Sequence, residues 1–128
     1  MSGRYKVLIV EDERVVAKDL KQTLESMGYD VIAMAATRDE TIACCEKQLP
    51  DIVLMDIRIK GDVDGIDTAT ELHKRYGLRV IYLTAHADVA SIDRAKRTYP
   101  HAYLLKPVKP GELQGAIEIA MFTKQHTS

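Results

Sequence analysis

Ile52-Val53-Leu54-Met55-Asp56 is a run of four apolar residues closed by a carboxylate. A run so short and so uniformly apolar predicts a strand covered on both faces, as the strands of parallel sheets are. Parallel neighbours need a crossover, usually a helix, so helical periodicity is expected on either side. Upstream, Tyr5 to Val10 reads as a first strand rich in branched residues, and Val16, Leu20, Leu24 and Met27 then recur at helical spacing as far as Gly28. Val31 to Ala35 reads as a second strand, and Thr37-Arg38-Asp39-Glu40 as a capping box opening a helix that runs toward Leu49 and stops at Pro50. Downstream, a polar loop with Gly61 and Gly65 leads to a helix carrying Ile66, Ala69 and Leu72 and closed by Gly77. Val80 to Leu83 is a fourth strand, Asp88 to Thr98 a helix with a thin apolar stripe, Tyr103 to Leu105 a fifth strand, and Pro110 to about Lys124 the last helix. Strand and helix alternating with short connections predict an α/β fold, a doubly wound parallel sheet with helices on both faces.

Composition supports one such unit. The 128 residues are 46% hydrophobic and 29% charged, far from the composition of disorder, and fit a single domain over 1–128 with its core at 5–122 and a polar tail at 123–128. With 18 Lys and Arg against 19 Asp and Glu, the formal net charge of -1 offers no footprint for nucleic-acid phosphates, so no direct nucleic-acid binding is expected. No apolar run approaches the ~20 residues a bilayer span needs, and no signal-peptide segment precedes the first strand, so a cytoplasmic protein without a membrane role is expected. Cys44 and Cys45 are adjacent, where a bridge would be badly strained, and lack zinc-site spacing; they read as reduced packing thiols.

In a doubly wound sheet, functional groups gather at the carboxyl ends of the strands. Glu11 and Asp12 follow the first strand, Asp56 the third, Thr84 the fourth and Lys106 the fifth. Any one of these has an ordinary explanation: Asp12 as a helix cap, Thr84 as a turn former, Lys106 as a solvated loop residue. All five on one rim, from different units, point to a site. Three carboxylates at low dielectric repel unless a cation enters, and a hard divalent ion with oxygen ligands fits. Magnesium keeps several waters and usually shares its shell with a phosphate; with Lys106 and Thr84 it could neutralise phosphoryl oxygens.

The chain resembles a receiver domain of the two-component response-regulator family, of the chemotaxis-regulator type. The resemblance runs over about residues 5–122 and is carried by Glu11-Asp12 after Val-Leu-Ile-Val, Leu-Met-Asp ending at Asp56, Leu-Thr-Ala with Thr84 and Ala85, and Leu-Leu-Lys-Pro containing Lys106. It implies a five-stranded (βα)5 flavodoxin-like sandwich with strand order 2-1-3-4-5. It implies that Asp56 accepts a phosphoryl group from the phosphohistidine of a sensor histidine kinase or phosphotransfer protein, so that the domain modifies itself and is not an enzyme with a separate substrate. Mg²⁺ would be held by Asp12, Asp56 and the backbone carbonyl of Arg58, with Glu11 acting largely through water. Lys106 would pair with the acceptor, Thr84 would swing toward the phosphoryl group, and Ala85 would supply a backbone N–H. Tyr103 stands at the family's aromatic switch position, Arg58 and His86 at the positions that tune dephosphorylation, and the Lys106-Pro107 bond at one the family keeps cis. The fourth helix, fifth strand and fifth helix would form the output surface for an effector or a second copy, with Asp88, Ile92, Asp93, Arg94, Ala95, Lys96 and Arg97 on it.

The loop Ile57-Arg58-Ile59-Lys60-Gly61-Asp62-Val63-Asp64-Gly65 is longer than the usual family pattern and lacks its proline, resembling receivers attached to or encoded near multidomain sensor kinases. A hybrid-kinase or phosphorelay setting is expected, whether the domain stands alone or is part of a larger regulator. Two other classes compete: a Mg²⁺-dependent phosphatase or phosphotransferase turning over a small substrate, and a pseudo-receiver used only for binding, against which Asp12, Asp56, Thr84 and Lys106 argue. Asp62, Asp64 and Glu71 mimic part of a calcium loop, but Lys60 would occupy the first ligand position. No glycine-rich nucleotide motif occurs, and His73, His86, His101 and His126 show no metal spacing.

Overall fold

Val7, Leu8, Ile9 and Val10 are all essentially without solvent exposure, and they alternate between two separate hydrophobic clusters. That alternation makes their strand the centre of a two-faced layer. The computed structural model describes residues 4–85 and 87–126. Its elements are β1 (Lys6–Val10), α1 (Arg14–Ser26), β2 (Asp30–Ala35), α2 (Arg38–Lys47), β3 (Ile52–Met55), α3 (Gly65–Tyr76), β4 (Val80–Thr84), α4 (Val89–Lys96), β5 (Ala102–Leu105) and α5 (Pro110–His126). All strand pairs are parallel, in the order β2-β1-β3-β4-β5. Elements and order agree with expectation, with ends differing by one or two residues, the ordinary uncertainty of helix and strand termini.

Val7, Ile9, Ile52, Leu54, Ile81 and Leu83 face α1 and α5, whose Ala17, Leu24, Leu113, Ile117 and Met121 recur at helical spacing. Leu8, Val10, Val53, Met55, Val80 and Tyr82 face α2, α3 and α4 through Cys45, Ile66, Ala69, Leu72 and Ala95. Burying a Leu or Ile side chain contributes about 1.5–3 kcal/mol, so these rows hold the strands in register.

The helix starts were only partly legible. Thr37 caps α2 by accepting the Glu40 N–H, but the Glu40 carboxylate returns to the Ala36 N–H, one residue earlier than in a standard capping box. Asp12 does not cap α1; Glu13 holds that position, and its side chain makes no capping hydrogen bond. In the long loop after β3, Ile57 and Ile59 are buried, and Lys60 pairs with the start of α2, its N–H donating to Ala36 O at 3.1 Å. The extra length is therefore anchored on the side of β2. No helix among the described residues is long and apolar enough to cross a membrane. Both cysteines are free, and burial pushes the Cys45 thiol up to about 11, as suits a packing residue.

Candidate functional site

Sheet pairing carries past the ends of the strands and fixes the rim. Glu11 N–H donates to Ala35 O at 2.9 Å, Asp56 N–H to Val10 O at 3.0 Å and Lys106 N–H to Thr84 O at 2.9 Å. Glu11, Asp56 and Lys106 are therefore held by main chain that is still sheet-like.

Glu11, Asp12 and Asp56 each offer a carboxylate oxygen, and these atoms all lie within 4.8 Å of one another. Lys106 Nζ donates to Glu11 Oε1 at 2.6 Å and to Asp56 Oδ2 at 3.0 Å. The other oxygen of Glu11 accepts the Glu13 N–H at 3.0 Å, so Glu11, only 5% exposed, is committed on both sides. Burial works against the Lys106 ammonium, yet its bonds to Glu11 and Asp56 outweigh that and hold its pKa above the usual lysine value. One ammonium against three carboxylates leaves negative charge in excess. All the donors are hard oxygens, and the set suits Mg²⁺ better than a soft metal.

Thr84 ends β4 and is fully buried, and the exposed Ala85 begins the loop to α4. Arg58 N–H points to Asp56 Oδ1 at 3.4 Å, while its side chain is exposed. Its charge adds to the bonds from Ser91 that hold Asp88 below the usual carboxylate range. Tyr103 is half-buried on β5, its ring 5.9 Å from that of Tyr82. The chain thus brings Glu11, Asp12, Asp56 and Lys106 together, with Thr84 and Ala85 at the end of the adjacent strand. His86 lies outside the described residues.

Three features escaped sequence reasoning. The first is Gly65, where a Cβ would collide with the Asp56 carbonyl oxygen and stand 2.9 Å from both its carbonyl carbon and the Ile57 Cα. The second is a buried contact between the Tyr82 hydroxyl and Thr98 Oγ1 at 2.8 Å, with burial pushing the Tyr82 phenol up to about 12. The third is Arg94, expected to face outward, which instead binds Asp64 and Asp67 at the start of α3. Asp93 likewise pairs within α4 with Lys96 and Arg97, and Asp88 caps that helix, so much of the expected output charge is committed internally. The calcium-loop resemblance has the same fate: Asp64 is held by Arg94, and Glu71 by Arg38 and Arg75.

Residues 7–118 match the family described as the response regulator receiver domain. The transcriptional regulatory protein PdtaR of Mycobacterium tuberculosis is 34% identical over 116 residues, which cover 91% of this chain and 56% of that protein. The phyllosphere-induced regulator PhyR of Methylorubrum extorquens is 31% identical over 121 residues, 94% of this chain and 45% of its own length. The chain therefore spans about half the length of the curated relatives it matches. Among solved structures, the signal receiver domain of a modulated diguanylate cyclase from Desulfovibrio desulfuricans G20 superposes with a TM-score of 0.92 at 40% identity, covering 98% of this chain and 99% of that one. A CheY-like receiver domain from Methanospirillum hungatei JF-1 gives 0.88 at 29% identity, covering 99% and 100%. Sequence match, sheet order and the acidic rim converge: this chain belongs to the response regulator receiver domain family, the signal-receiving module of two-component systems.

Proposed function

We propose that Asp56 is the phosphoacceptor of a two-component or phosphorelay system and takes its phosphoryl group from a phosphohistidine on a sensor histidine kinase or phosphotransfer protein. The observation that carries this reading is Lys106 Nζ bridging Glu11 Oε1 at 2.6 Å and Asp56 Oδ2 at 3.0 Å. One Asp56 oxygen attacks phosphorus. The new O–P bond forms as the P–N bond breaks, and the electron pair leaves on the imidazole nitrogen of the donor. Lys106 holds the acceptor in place beforehand and pairs with the transferred group afterward. Glu11, Asp12 and Asp56, with the Arg58 carbonyl, would hold Mg²⁺, which when bound supplies positive charge against the phosphoryl oxygens.

Phosphorylation adds roughly two negative charges at Asp56. Thr84 and the Ala85 N–H then turn toward the new oxygens, and the Tyr103 ring moves into the space released, altering the surface of α4, β5 and α5 for an effector or a second copy. Arg58 and His86 govern how readily water reaches the phosphoryl group. The domain modifies only itself, works in the cytoplasm, and serves alone or within a larger regulator.

Incubation with Mg²⁺ and acetyl phosphate, followed by intact mass, tests the reading. A gain of one phosphoryl group is expected in the native chain and none in Asp56→Asn; a gain that survives the substitution overturns it.

A further inference from the structure

α4 is weakly buried: of its eight residues only Ala95 is inside. Its hold on the rest of the molecule is largely polar. Arg94 Nη1 donates to Asp64 Oδ2 at 2.9 Å, and Nη2 donates to Asp64 Oδ1 and Asp67 Oδ1, each at 3.3 Å. Among the described residues, these are the only ion pairs from α4 to another helix. Asp64 is also the cap of α3, its Oδ1 accepting the Asp67 N–H at 2.9 Å. The next residue, Gly65, donates its N–H to Ile57 O at 2.7 Å and lies hard against the Asp56 peptide. One guanidinium on α4 therefore grips a carboxylate whose neighbour touches the main chain of the candidate phosphoacceptor.

We propose that Arg94 is a positioning residue for the Asp56 site: its pair with Asp64 makes the setting of the Asp56 main chain and the docking of α4 depend on each other, through Gly65 and separately from Thr84 and Tyr103. The inference rests on the reading of Asp56 as a Mg²⁺-assisted acceptor and deepens it. A two-pronged guanidinium–carboxylate grip fixes orientation as well as distance. The side chains are 46% and 33% exposed, so the pair is of moderate strength and its effect is a few-fold. Linkage makes the effect reciprocal. By whatever factor the docked α4 favours Mg²⁺ at the site, Mg²⁺ favours the docked α4.

The test uses Asp64→Asn, which keeps a good capping group and leaves Gly65 in place while removing the charge, together with Arg94→Gln, the double variant and Arg94→Lys. Neither position supplies an atom to the acidic cluster. Calorimetric Mg²⁺ titration is expected to give affinities about two- to five-fold weaker in each single variant, no weaker in the double variant, and partly recovered with lysine. Amide exchange should slow across 92–98 when Mg²⁺ is added to the native chain, and change little in Arg94→Gln. Native affinity in both single variants, additive losses in the double variant, or equal Mg²⁺ protection of α4 without Arg94 would each overturn the coupling while leaving the acceptor reading intact. A native chain that binds no Mg²⁺ would sink both together.

Discussion

Gly65 lies against the peptide of Asp56 so closely that any Cβ there would strike the Asp56 carbonyl oxygen. The only side chain the position accepts is hydrogen, because the start of α3 is pressed onto the end of β3. Gly65→Ala should push the Asp56 main chain off its setting. Phosphorylation by acetyl phosphate should slow at least about tenfold, since misplacing a nucleophile by a fraction of an ångström is costly. Urea unfolding should show a loss of about 1–3 kcal/mol from overpacking. Native phosphorylation rates in a folded Gly65→Ala would mean the contact does not set the acceptor.

Among the described residues, Lys106 is the sole positive group bonded to Glu11 and Asp56. Lys106→Gln should cost about 1–3 kcal/mol at neutral pH by leaving the buried Glu11 charge uncompensated. Mg²⁺ should raise the melting temperature of this variant by more than that of the native chain, since it supplies the missing charge. Because the Lys106 pKa is raised above 10.5 in the fold, its contribution is fully present below about pH 10.5 and is lost as pH climbs through the higher folded value. The stability gap between native and variant should therefore close only at strongly alkaline pH.

The hydrogen of Thr98 Oγ1 goes to Ala95 O at 2.7 Å, so Tyr82 is the donor in the buried hydroxyl pair. The two deletions should then be unequal. Tyr82→Phe leaves Thr98 satisfied and should cost about 0.5–1.5 kcal/mol, whereas Thr98→Val strands the Tyr82 hydroxyl and should cost about 1–3 kcal/mol. Denaturant melts of the two variants distinguish this order from its reverse.

His101, between α4 and β5, is pushed down to about 4 by burial and then by the charges of Arg79 and Lys124. The unfolded chain binds the proton more readily between pH 6.5 and about 4, so stability should fall as pH drops through that window, by about 3 kcal/mol from this group. His101→Gln should lose that slope, and an NMR titration should find the native imidazole neutral at pH 6. A midpoint near 6.5 would contradict the burial argument.

The parallel sheet and the rim were legible because β1, β3, β4 and β5 are short apolar runs whose first polar residue coincides with the strand end, whereas the strand order came only with the family resemblance. Direction along a parallel strand then places Glu11, Asp56, Thr84 and Lys106 on one edge without any knowledge of contacts. What stayed hidden depends on approach between segments distant in sequence. Nothing local to Gly65 reveals that Asp56 O lies beside it, and the burial of Ile57 and Ile59 in a loop follows from docking on Ala36. Arg94 looked like part of a solvated face because helical periodicity alone cannot show that Asp64 and Asp67 stand within its reach. The Tyr82 hydroxyl was unremarkable in sequence because its partner, Thr98 Oγ1, comes from a different element.

The most direct test of the account is to locate the phosphoryl bond. After exposure to Mg²⁺ and a small phosphodonor, proteolysis and mass mapping should find phosphate confined to the peptide containing Asp56, and hydroxylamine should release it as expected of an acyl phosphate. Phosphate on a serine or threonine, stable to hydroxylamine, or no incorporation into a folded chain that binds Mg²⁺, would contradict it.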